Sequence, residues 1–452
     1  MAKATCRARS VSGLVVKLHF FLPIMSEFHR KVVSLQLNSK VHKKRTMKIP
    51  FSPPYIDEDV VSEVTDSLRS GWITTGPKVK ALEGEISRMT GARQVLCVNS
   101  WTTGAIMMLR WLGLQPGDEV IIPAYTYCAT ALAVLWAGGK PVMVDSGDDL
   151  NISVDAIRKA ITPRTKAIIP VDIAGWPCDY EAIMKLVNEP SVKALFQPSS
   201  PVMEKLGRIC VMNDSAHSIG ARYKGRTAGG AETDVVIFSL HAVKNITTAE
   251  GGAICLNLPH PFDNDQLYGE LRMKALNCQT KDAFTKSKAG GWRYDIVGMG
   301  MKANMADVNA AIGLAQIRQY DHMLRERKRI FQTYDELFSR QPWAILPVSH
   351  QGYRESSYHV YTLRIRDITE EQRDAIISEI SKSQVAVNVH FIPLPMLTLF
   401  RDMGYDINDY PQAYRNFAHE ISLPCYPQLD DEKVRFVADT VIKAYQTVIN
   451  EQ

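Results

Sequence analysis

The sequence predicts an α/β protein built on a mostly parallel sheet that helices cover on both faces. Short apolar runs rich in β-branched residues alternate with segments of helical periodicity between residues 94 and 256. These runs are continuously apolar, which is typical of strands buried on both faces of a parallel sheet. The seven candidate strands are Gln94–Asn99, Glu119–Pro123, Pro141–Asp145, Lys166–Asp172, Arg208–Asn213, Val235–Leu240 and Ala253–Leu256. The candidate helices between the first of them are Thr102–Leu112, Tyr127–Ala137, Val154–Ile161 and Tyr180–Val187.

Two further helices are predicted ahead of the sheet. Residues 57–69 have amphipathic spacing, and Pro77 is well placed to begin a helix over Lys78–Thr90. Residues 189–206 interrupt the alternation of strands and helices. Because this segment is rich in Pro and Ser, we interpret it as a surface insertion.

The pattern changes after Gly300 and predicts a second, smaller domain. A long helical pattern covers Met305–Leu337, and a β/α region follows it. Its candidate strands are His359–Ile365 and Val385–Phe391, and its last helix is Asp431–Ile449. We therefore expect a large domain over residues 47–304 and a C-terminal α+β domain over residues 305–452, which contains the long linking helix.

The first 46 residues differ in composition from the rest of the chain. They hold ten Lys and Arg and one acidic residue, Glu27, whereas the remainder holds 43 basic and 47 acidic residues. The segment is either a transit peptide, a weak signal sequence or upstream sequence translated from an early start codon. We favour the last, because Met47 begins a well-formed domain opening, and expect residues 1–46 to be disordered or not native. The mildly acidic remainder gives no electrostatic case for nucleic acid.

The composition is that of a soluble enzyme. Hydrophobic residues make up 46% and charged residues 22% of the chain, and no apolar run approaches the roughly 20 residues that span a membrane. The eight cysteines are scattered, without metal-ligand spacing. We therefore expect a reducing compartment, the cytoplasm, and neither a membrane segment nor a metal site.

A lysine follows the sixth candidate strand. The stretch Val235–Gly252 begins as that strand, continues into a polar loop that carries Lys244, and closes with a glycine pair. A lysine buried between strands is unfavourable unless it has a partner or chemical work, and burial makes an amine a nucleophile towards carbonyls. A surface lysine on a hairpin loop is an equally weighted alternative.

Three other stretches place polar or aromatic residues at strand ends. Residues 98–105, V-N-S-W-T-T-G-A, pass from a strand into a helix whose N-terminus would bind a phosphate, or whose Ser100 is a plain N-cap. Residues 124–130, A-Y-T-Y-C-A-T, offer an aromatic ring for stacking or for the core. Asp214, in N-D-S-A-H-S-I-G-A, would face a cation such as a pyridinium, pair with a histidine, or cap a turn. In this order the four stretches supply a phosphate site, a ring contact, an anion and an amine, which is what pyridoxal phosphate requires.

At these stretches the chain resembles the DegT/DnrJ/EryC1/StrS family of sugar aminotransferases. The similarity covers nearly all of residues 47–452. It is carried by I-P-F-S-P-P, S-G-W-I-T-T-G-P-K, L-Q-P-G-D-E-V-I-I-P-A-Y-T-Y, D-S-A-H-S-I-G-A, F-S-L-H-A-V-K-N-I-T-T-A-E-G-G, M-A-D-V-N-A-A-I-G-L-A-Q-I, V-H-F-I-P-L and I-S-L-P-C-Y-P.

The resemblance implies a type I aminotransferase fold, pyridoxal 5'-phosphate as cofactor, and a homodimer with shared active sites. It implies that Lys244 holds the cofactor covalently, that Asp214 faces its ring nitrogen and that His217 lies near the oxygen side of the ring. It also implies that Tyr127 stacks on the cofactor ring and that Ser100, Thr102 and Ser239 bind the cofactor phosphate. Trp101 lies in the same phosphate-binding turn and would be a further cofactor-binding residue.

The chain departs from the family pattern at several positions. Trp101 stands where glycine is usual, so an altered phosphate turn is expected, because glycine tolerates a positive φ and tryptophan rarely does. Lys302, in G-M-K-A-N-M, stands where a neighbouring subunit's asparagine often contacts the phosphate. Pro395 and Tyr414 replace a histidine and a glutamate that are frequent near the sugar.

The resemblance implies transfer of an amino group from L-glutamate to a nucleotide-linked keto sugar. Lys244 would also move a proton between the substrate and cofactor carbons, while Asp214 keeps the ring nitrogen protonated. A nucleotide-sugar dehydratase of the same fold is one alternative, although histidine replaces the lysine there. A catalytically silent partner of the same fold is the other.

Overall fold

Seven strands form the central sheet of the computed structural model, which describes residues 47–230, 232–281 and 292–450. The strands of the chain are β1 Gln94–Val98, β2 Glu119–Pro123, β3 Lys140–Val144, β4 Thr165–Ile168, β5 Cys210–Asp214, β6 Arg222–Tyr223, β7 Arg226–Thr227, β8 Val235–Ser239, β9 Gly252–Leu256, β10 Ala344–Ile345, β11 His350–Gln351, β12 Arg354–Glu355, β13 Tyr361–Ile365 and β14 Glu420–Leu423. The order in the central sheet is β1-β9-β8-β5-β4-β2-β3. Strand β9 is antiparallel to both of its neighbours, and the other four pairs are parallel. All seven predicted strands are present, and the mostly parallel sheet is confirmed.

Helices surround this sheet, and most of the predicted ones form within a residue or two of the expected bounds. They are α1 Glu58–Arg69, α2 Pro77–Thr90, α3 Trp101–Leu112, α4 Cys128–Trp136, α5 Val154–Ala160, α6 Tyr180–Asn188, α7 Pro190–Leu195, α8 Pro201–Leu206, α9 Asn264–Lys274, α10 Asp307–Phe338, α11 Glu370–Lys382, α12 Thr398–Asp402, α13 Pro411–His419 and α14 Asp431–Asn450. Local capping explains several of their starts. The side chains of Asp57, Ser153 and Asp179 accept hydrogen bonds from backbone N–H groups in the first turns of α1, α5 and α6.

The long helix α10 is tied to α2 by its first residue. Gly76 precedes α2 and has no side chain to cap it. The carboxylate of Asp307 instead accepts hydrogen bonds from the backbone N–H groups of Gly76, Lys78 and Val79, at 2.8, 3.1 and 3.0 Å. An anion at this end also complements the helix dipole, so Asp307 stabilises α2 from a distant part of the chain.

A second sheet, β10-β13-β14, lies in the C-terminal part of the chain, where α11 packs against α14. A third, small sheet pairs β12 with β6 and so joins strands from both sides of residue 305. Residues from Lys48 onward form one compact unit. The division into domains at residues 304 and 305 stays a prediction, and the expectation for residues 1–46 lies outside the described residues.

The predicted strand at Val385–Phe391 is wrong. The segment makes only isolated bridges, from Val385 to Ile49 and from Asn388 to Ser422. Beyond Asn388 the backbone N–H of His390 donates to the buried carboxyl of Glu420 at 2.9 Å rather than to a neighbouring strand. The apolar run therefore reflects burial of its side chains and not a strand ladder.

Residues 189–206, interpreted as a surface insertion, are mostly exposed but have regular structure. The segment forms the two short helices α7 and α8, each with proline at its first position. Met203 is fully buried in the main core, and Val192 is also buried. Lys166 anchors the segment by donating a hydrogen bond to the carbonyl of Gln197. Pro190, Ser200 and Pro201 lie at the starts of these helices, and that the segment is an insertion stays a prediction.

Across the residues that the structure describes, no helix is both long and apolar enough to span a bilayer. Within the same residues, no three His, Cys, Asp or Glu side chains come together in a way that could hold a metal ion.

Candidate active site

A cavity of about 410 Å³ lies at the carboxyl ends of the central strands. Strand ends contribute Ser100 after β1, Thr126 and Tyr127 after β2, Asp214 at the end of β5 and Ser239 at the end of β8. The C-terminal part of the chain closes the other side with His359, His390, Phe391, Leu423 and Cys425. This is the position where ligands bind in open α/β sheets.

Lys244 lines this cavity from the loop after β8. The loop is closed by backbone hydrogen bonds from Leu240 to Gly251 and from Thr248 to Leu240, at 2.9 and 2.8 Å. Burial lowers the pKa of Lys244 to about 8, while the nearby carboxylate of Asp214 partly opposes this shift. An amine with such a pKa is far more often neutral at physiological pH than an ordinary lysine, and so is a better nucleophile. Lys244 is half-buried and lines the cavity, which favours a reactive amine over a surface lysine on a hairpin loop.

Asp214 lies across the cavity, at the end of β5. Its carboxylate accepts hydrogen bonds from the Thr130 hydroxyl at 3.0 Å and from the backbone N–H of Ala216 at 3.1 Å. Burial raises the pKa of Asp214 to about 7, against the hydrogen bonds and Lys244, which lower it. Within the described part of the chain no cationic side chain forms an ion pair with it. A buried carboxylate that lacks a cation fits a protonated pyridine nitrogen.

His217 is held in one tautomer. Its Nδ1 accepts a hydrogen bond from the backbone N–H of Ala174 at 3.2 Å, so in the neutral ring the proton lies on Nε2. Burial lowers the pKa of His217 well below its ordinary value, and Lys244 adds to the effect. The ring packs against His359 and Phe391, with centroids 4.4 and 5.7 Å apart. His217 therefore offers a neutral N–H donor.

The turn at Ser100–Thr102 begins helix α3. The Ser100 hydroxyl accepts from the backbone N–H of Thr103 at 3.0 Å, so Ser100 is an N-cap, as the plain interpretation of this stretch held. Trp101 is the first helical residue and its φ is not positive, so the expected distortion of the turn is absent. The start of β9 approaches closely here: a Cβ on Gly252 would lie 2.7 Å from the Trp101 nitrogen.

Tyr127 and Lys302 are placed differently from the other predicted residues. Tyr127 lines the cavity but is 61% exposed, so it is a rim residue and not part of the core. Lys302 does not line the cavity of its own chain; it is exposed, and its carbonyl accepts a hydrogen bond from Asn99 at 3.3 Å. Thr102 and Ser239 both line the cavity, and their contact with a phosphate stays a prediction.

Sequence reasoning assigned no role to several residues that the fold brings here. Thr130 donates to Asp214, and His359, His390 and Phe391 line the cavity. Thr130 lies in the aromatic stretch 124–130 and His390 in V-H-F-I-P-L, both of which stand out in the sequence. A histidine inside an otherwise apolar run was the available signal for His390.

The residues present fit pyridoxal phosphate. Among the described residues Asp214 is a buried carboxylate without an ion pair, Lys244 is an amine with a lowered pKa, and the first residues of α3 line the same cavity. Each matches a different part of the cofactor: ring nitrogen, aldehyde and phosphate.

Comparison with known proteins agrees with this chemistry. The family model described as the DegT/DnrJ/EryC1/StrS aminotransferase family matches residues 54–198 and 202–442. The spore coat polysaccharide biosynthesis protein SpsC of Bacillus subtilis is 32% identical over 414 residues, which cover 90% of this chain and 98% of that protein. The uncharacterized protein MJ1066 of Methanocaldococcus jannaschii is 35% identical over 400 residues, which cover 87% of this chain and 97% of that protein.

Solved structures give the same result. The putative sugar aminotransferase Spr1654 of Streptococcus pneumoniae in its PLP form is 40% identical, with a TM-score of 0.84 over 89% of this chain and all of that one. Its PMP form superposes with a TM-score of 0.85. Helicobacter pylori PseC, an aminotransferase involved in the biosynthesis of pseudoaminic acid, is 26% identical with a TM-score of 0.77, over 89% of this chain and all of PseC. The chain has the type I aminotransferase fold, and it belongs to the DegT/DnrJ/EryC1/StrS family of pyridoxal-phosphate-dependent sugar aminotransferases.

Proposed function

We propose that this enzyme transfers the amino group of L-glutamate to a nucleotide-linked keto sugar. The observation that carries the proposal is the presence, in one cavity, of a lysine with a lowered pKa and a buried carboxylate that forms no ion pair with any residue the structure describes. The names of two relatives support a sugar substrate: SpsC is a polysaccharide biosynthesis protein, and PseC takes part in pseudoaminic acid biosynthesis. The product would then be an amino sugar for polysaccharide biosynthesis.

Lys244 and Asp214 divide the chemistry between them. When bound, pyridoxal phosphate supplies an aldehyde for amines and an electron-accepting ring. Lys244 would hold the cofactor through its amine and would move a proton at the substrate carbon. Asp214 keeps the ring nitrogen protonated, and the Thr130 hydroxyl orients its carboxylate. The low dielectric around both groups strengthens their interaction with the ring.

The remaining cavity residues bind and orient. The N-terminus of α3, with Ser100, Trp101 and Thr102, and the Ser239 hydroxyl hold the phosphate. Tyr127 covers one side of the ring from the rim of the cavity. His217 donates its Nε2–H to the oxygen side of the ring, because Ala174 has fixed the tautomer.

The working form in this proposal is a homodimer in which each chain lends Lys302 to its neighbour's phosphate. An exposed apolar surface lies immediately before the loop that carries Lys302. Its members Trp292, Ile296, Val297 and Met299 are all more than half exposed, and Met299 reaches 87%. Such a surface is typical of an interface, and a two-fold interface would supply both sites equally.

The proposed location is the cytoplasm. All seven cysteines of the described residues are free thiols, and most of them are buried. A reducing compartment is consistent with this set, since buried thiols are inert there.

An assay with glutamate and a panel of nucleotide keto sugars tests the substrate proposal. Release of 2-oxoglutarate that depends on one sugar, together with an amino sugar detected by mass spectrometry, is the expected result. Loss of a sugar hydroxyl without any glutamate consumption would instead identify the dehydratase. Glutamate turnover with no keto sugar on the panel, but with ordinary keto acids, would overturn the sugar proposal.

A further inference from the structure

His390 lines the cavity but has no part in the roles proposed above. Its ring stacks on Phe51 with centroids 5.6 Å apart and an angle of 20°, and Phe391 meets it edge-on at 4.9 Å. Its Nδ1 lies 2.8 Å from the hydroxyl oxygen of Ser422. No hydrogen bond to Nε2 is found among the described residues. The ring is therefore held in place, with Nε2 available to a molecule in the cavity.

A buried carboxyl lies behind this ring. Ser422 and Glu420 are on β14, two residues apart, and both are fully buried. The Ser422 hydroxyl lies 2.5 Å from Oε1 of Glu420, and Oε2 accepts a hydrogen bond from the backbone N–H of His390 at 2.9 Å. Glu420, Ser422 and His390 thus form a continuous hydrogen-bonded chain from the interior to the cavity.

The geometry allows two arrangements of protons along this chain. Because Oε2 accepts from a backbone N–H, any carboxyl proton lies on Oε1. A neutral Glu420 then donates to Ser422, Ser422 donates to Nδ1, and Nε2 carries the ring proton. An ionised Glu420 reverses the order: Ser422 donates to the carboxylate, Nδ1 donates to Ser422, and Nε2 presents a lone pair.

Conversion of the first arrangement into the second delivers one proton to the cavity. The Nε2 proton passes to an acceptor, the Ser422 proton passes to Nδ1, and the carboxyl proton passes to Ser422. Three bonds to hydrogen break and three form, and the negative charge left behind lies on Glu420. The reverse sequence takes a proton back.

We propose that His390 exchanges a proton with an oxygen atom of the substrate, and that Ser422 and Glu420 are positioning residues that supply this proton and take it back. The inference rests on the proposed function only for the identity of that oxygen. Replacing a keto oxygen by nitrogen releases the oxygen as water, which requires protons at oxygen as well as the proton that Lys244 moves at carbon. A second proton donor in the same cavity meets that need.

The charges that face the chain of hydrogen bonds are consistent with this role. Burial raises the pKa of Glu420 to about 8; the facing guanidinium groups of Arg373 and Arg364 oppose the shift, and Tyr125 also faces it. Burial, and to a smaller extent the charge of Lys244, lower the pKa of His390 to about 4. The imidazole therefore stays neutral, and the group that changes charge near physiological pH is the carboxyl behind it.

Nitrogen-15 NMR of the holoenzyme labelled in its histidine rings tests the inference without any substrate. We expect His390 to carry its proton on Nε2 near pH 6.5 and on Nδ1 near pH 9.5, on either side of the Glu420 transition. The signal is assigned by its loss in His390→Gln. Two cavity histidines are internal references: Ala174 holds His217 with its proton on Nε2, and the Asn245 oxygen, 2.8 Å away, holds His359 with its proton on Nδ1.

Glu420→Gln is the decisive variant. Its amide oxygen would replace Oε2 as acceptor for the His390 N–H, so its NH₂ group would donate to Ser422 and keep the His390 proton on Nε2 at both pH values. Ser422→Ala interrupts the chain and should also abolish the pH dependence while Glu420 is retained. A wild-type tautomer that is the same at both pH values, or a change that persists in Glu420→Gln, would overturn the inference.

Kinetics separate a proton-transfer role from simple binding. Glu420→Gln should lower kcat by about 10²-fold, at the lower end for an acid–base group, with little change in KM, because Nε2–H can still donate a hydrogen bond. An unchanged kcat contradicts the inference. If the signals of His217 and His359 also move in this variant, the local fold is lost and Ser422→Ala decides. Failure of the sugar assay leaves the tautomer result standing, so the two proposals fail independently.

Discussion

Two buried aspartates at neighbouring strand ends show what distinguishes a structural carboxylate from a reactive one. Asp172, beyond β4, accepts hydrogen bonds from the Tyr180 and Ser218 hydroxyls, both at 2.6 Å, from the Asn213 amide at 2.8 Å and from the backbone N–H of Cys178 at 2.9 Å. Asp214, the last residue of β5, has one hydroxyl and one backbone N–H donor and faces the cavity. Burial raises the pKa of both. Protein donors surround the first, whereas the second is left with capacity for a ligand.

Two lysines, one buried in the fold and one half-buried at the cavity, repeat this contrast. Lys166 is 3% exposed, and its ammonium group donates to the carbonyls of Pro163 and Gln197. No protein acceptor for the ammonium group of Lys244 is found among the described residues, and the side chain lines the cavity. Satisfied groups of the same chemical type hold the fold together, and unsatisfied ones mark the site.

The largest effect is expected for Lys244→Ala. Loss of both the covalent anchor and the proton-moving base should lower kcat by more than about 10⁴-fold and remove the visible absorbance band of the lysine-bound cofactor. Steady-state kinetics and absorbance spectra of the purified variant measure both.

Lys166→Met is the matched control. It removes the ammonium group of the buried lysine and should lower the free energy of unfolding by about 1–3 kcal/mol, measured by urea unfolding, with kcat close to wild type. If Lys244→Ala retained transamination, or Lys166→Met lost it, the contrast between the two lysines would fail.

The second largest effect is expected for Asp214→Asn. It removes the anion opposite the ring nitrogen and should lower kcat by about 10²–10³-fold, while the stability of the fold changes little. Asp172→Asn should do the opposite: a loss of about 1–3 kcal/mol in the free energy of unfolding and a much smaller loss in kcat. Kinetic and urea-unfolding measurements on both variants check that one substitution mainly lowers kcat and the other mainly lowers the free energy of unfolding. Equal effects of the two substitutions on kcat would show that Asp214 is only a structural group.

Subunit complementation tests the contribution of Lys302. Lys244→Ala and Lys302→Glu homodimers are each prepared, mixed and allowed to exchange subunits. If Lys302 acts in the neighbouring site, both lesions fall in one site of the heterodimer and the other site is intact. Statistical exchange should then restore about a quarter of wild-type activity.

A mixture with confirmed exchange and no activity above its parents would place the action of Lys302 within its own chain or exclude it. Lys302→Met is the milder companion variant, because it removes the charge without adding an opposite one.

The smallest effect is a pH dependence of stability in the cofactor-free enzyme. The pKa of Asp214 is raised to about 7 in the folded chain, so its contribution is fully present below the unfolded-state pKa near 4 and is lost as the pH rises to about 7. The wild type should therefore lose more stability than Asp214→Asn between pH 4.5 and 7.5, by about 1.4 kcal/mol for each pKa unit of the shift. Urea unfolding of both proteins at the two pH values gives the difference. If the free energy of unfolding changed equally in both proteins between the two pH values, Asp214 would already be ionised in the cofactor-free enzyme.

The sequence alone determined those features that short segments encode. Continuous apolar runs located all seven strands of the central sheet, because burial on both faces leaves a local pattern. The carboxyl-end positions of Lys244 and Asp214 followed from their place after such runs, and their order along the chain pointed to the cofactor. The bounds of α3 and α10 agree within about two residues for the same reason.

Only the tertiary structure decided which segments meet. Strand order and the antiparallel direction of β9 depend on pairing over long sequence distances, which apolar periodicity does not record. The same limit explains the wrong strand at Val385–Phe391, where burial came from packing without a ladder. It also explains why His390 went unassigned: its partners Ser422 and Glu420 lie about 30 residues away. Local sequence encodes which side chains are buried, whereas the folded chain determines what each buried group faces.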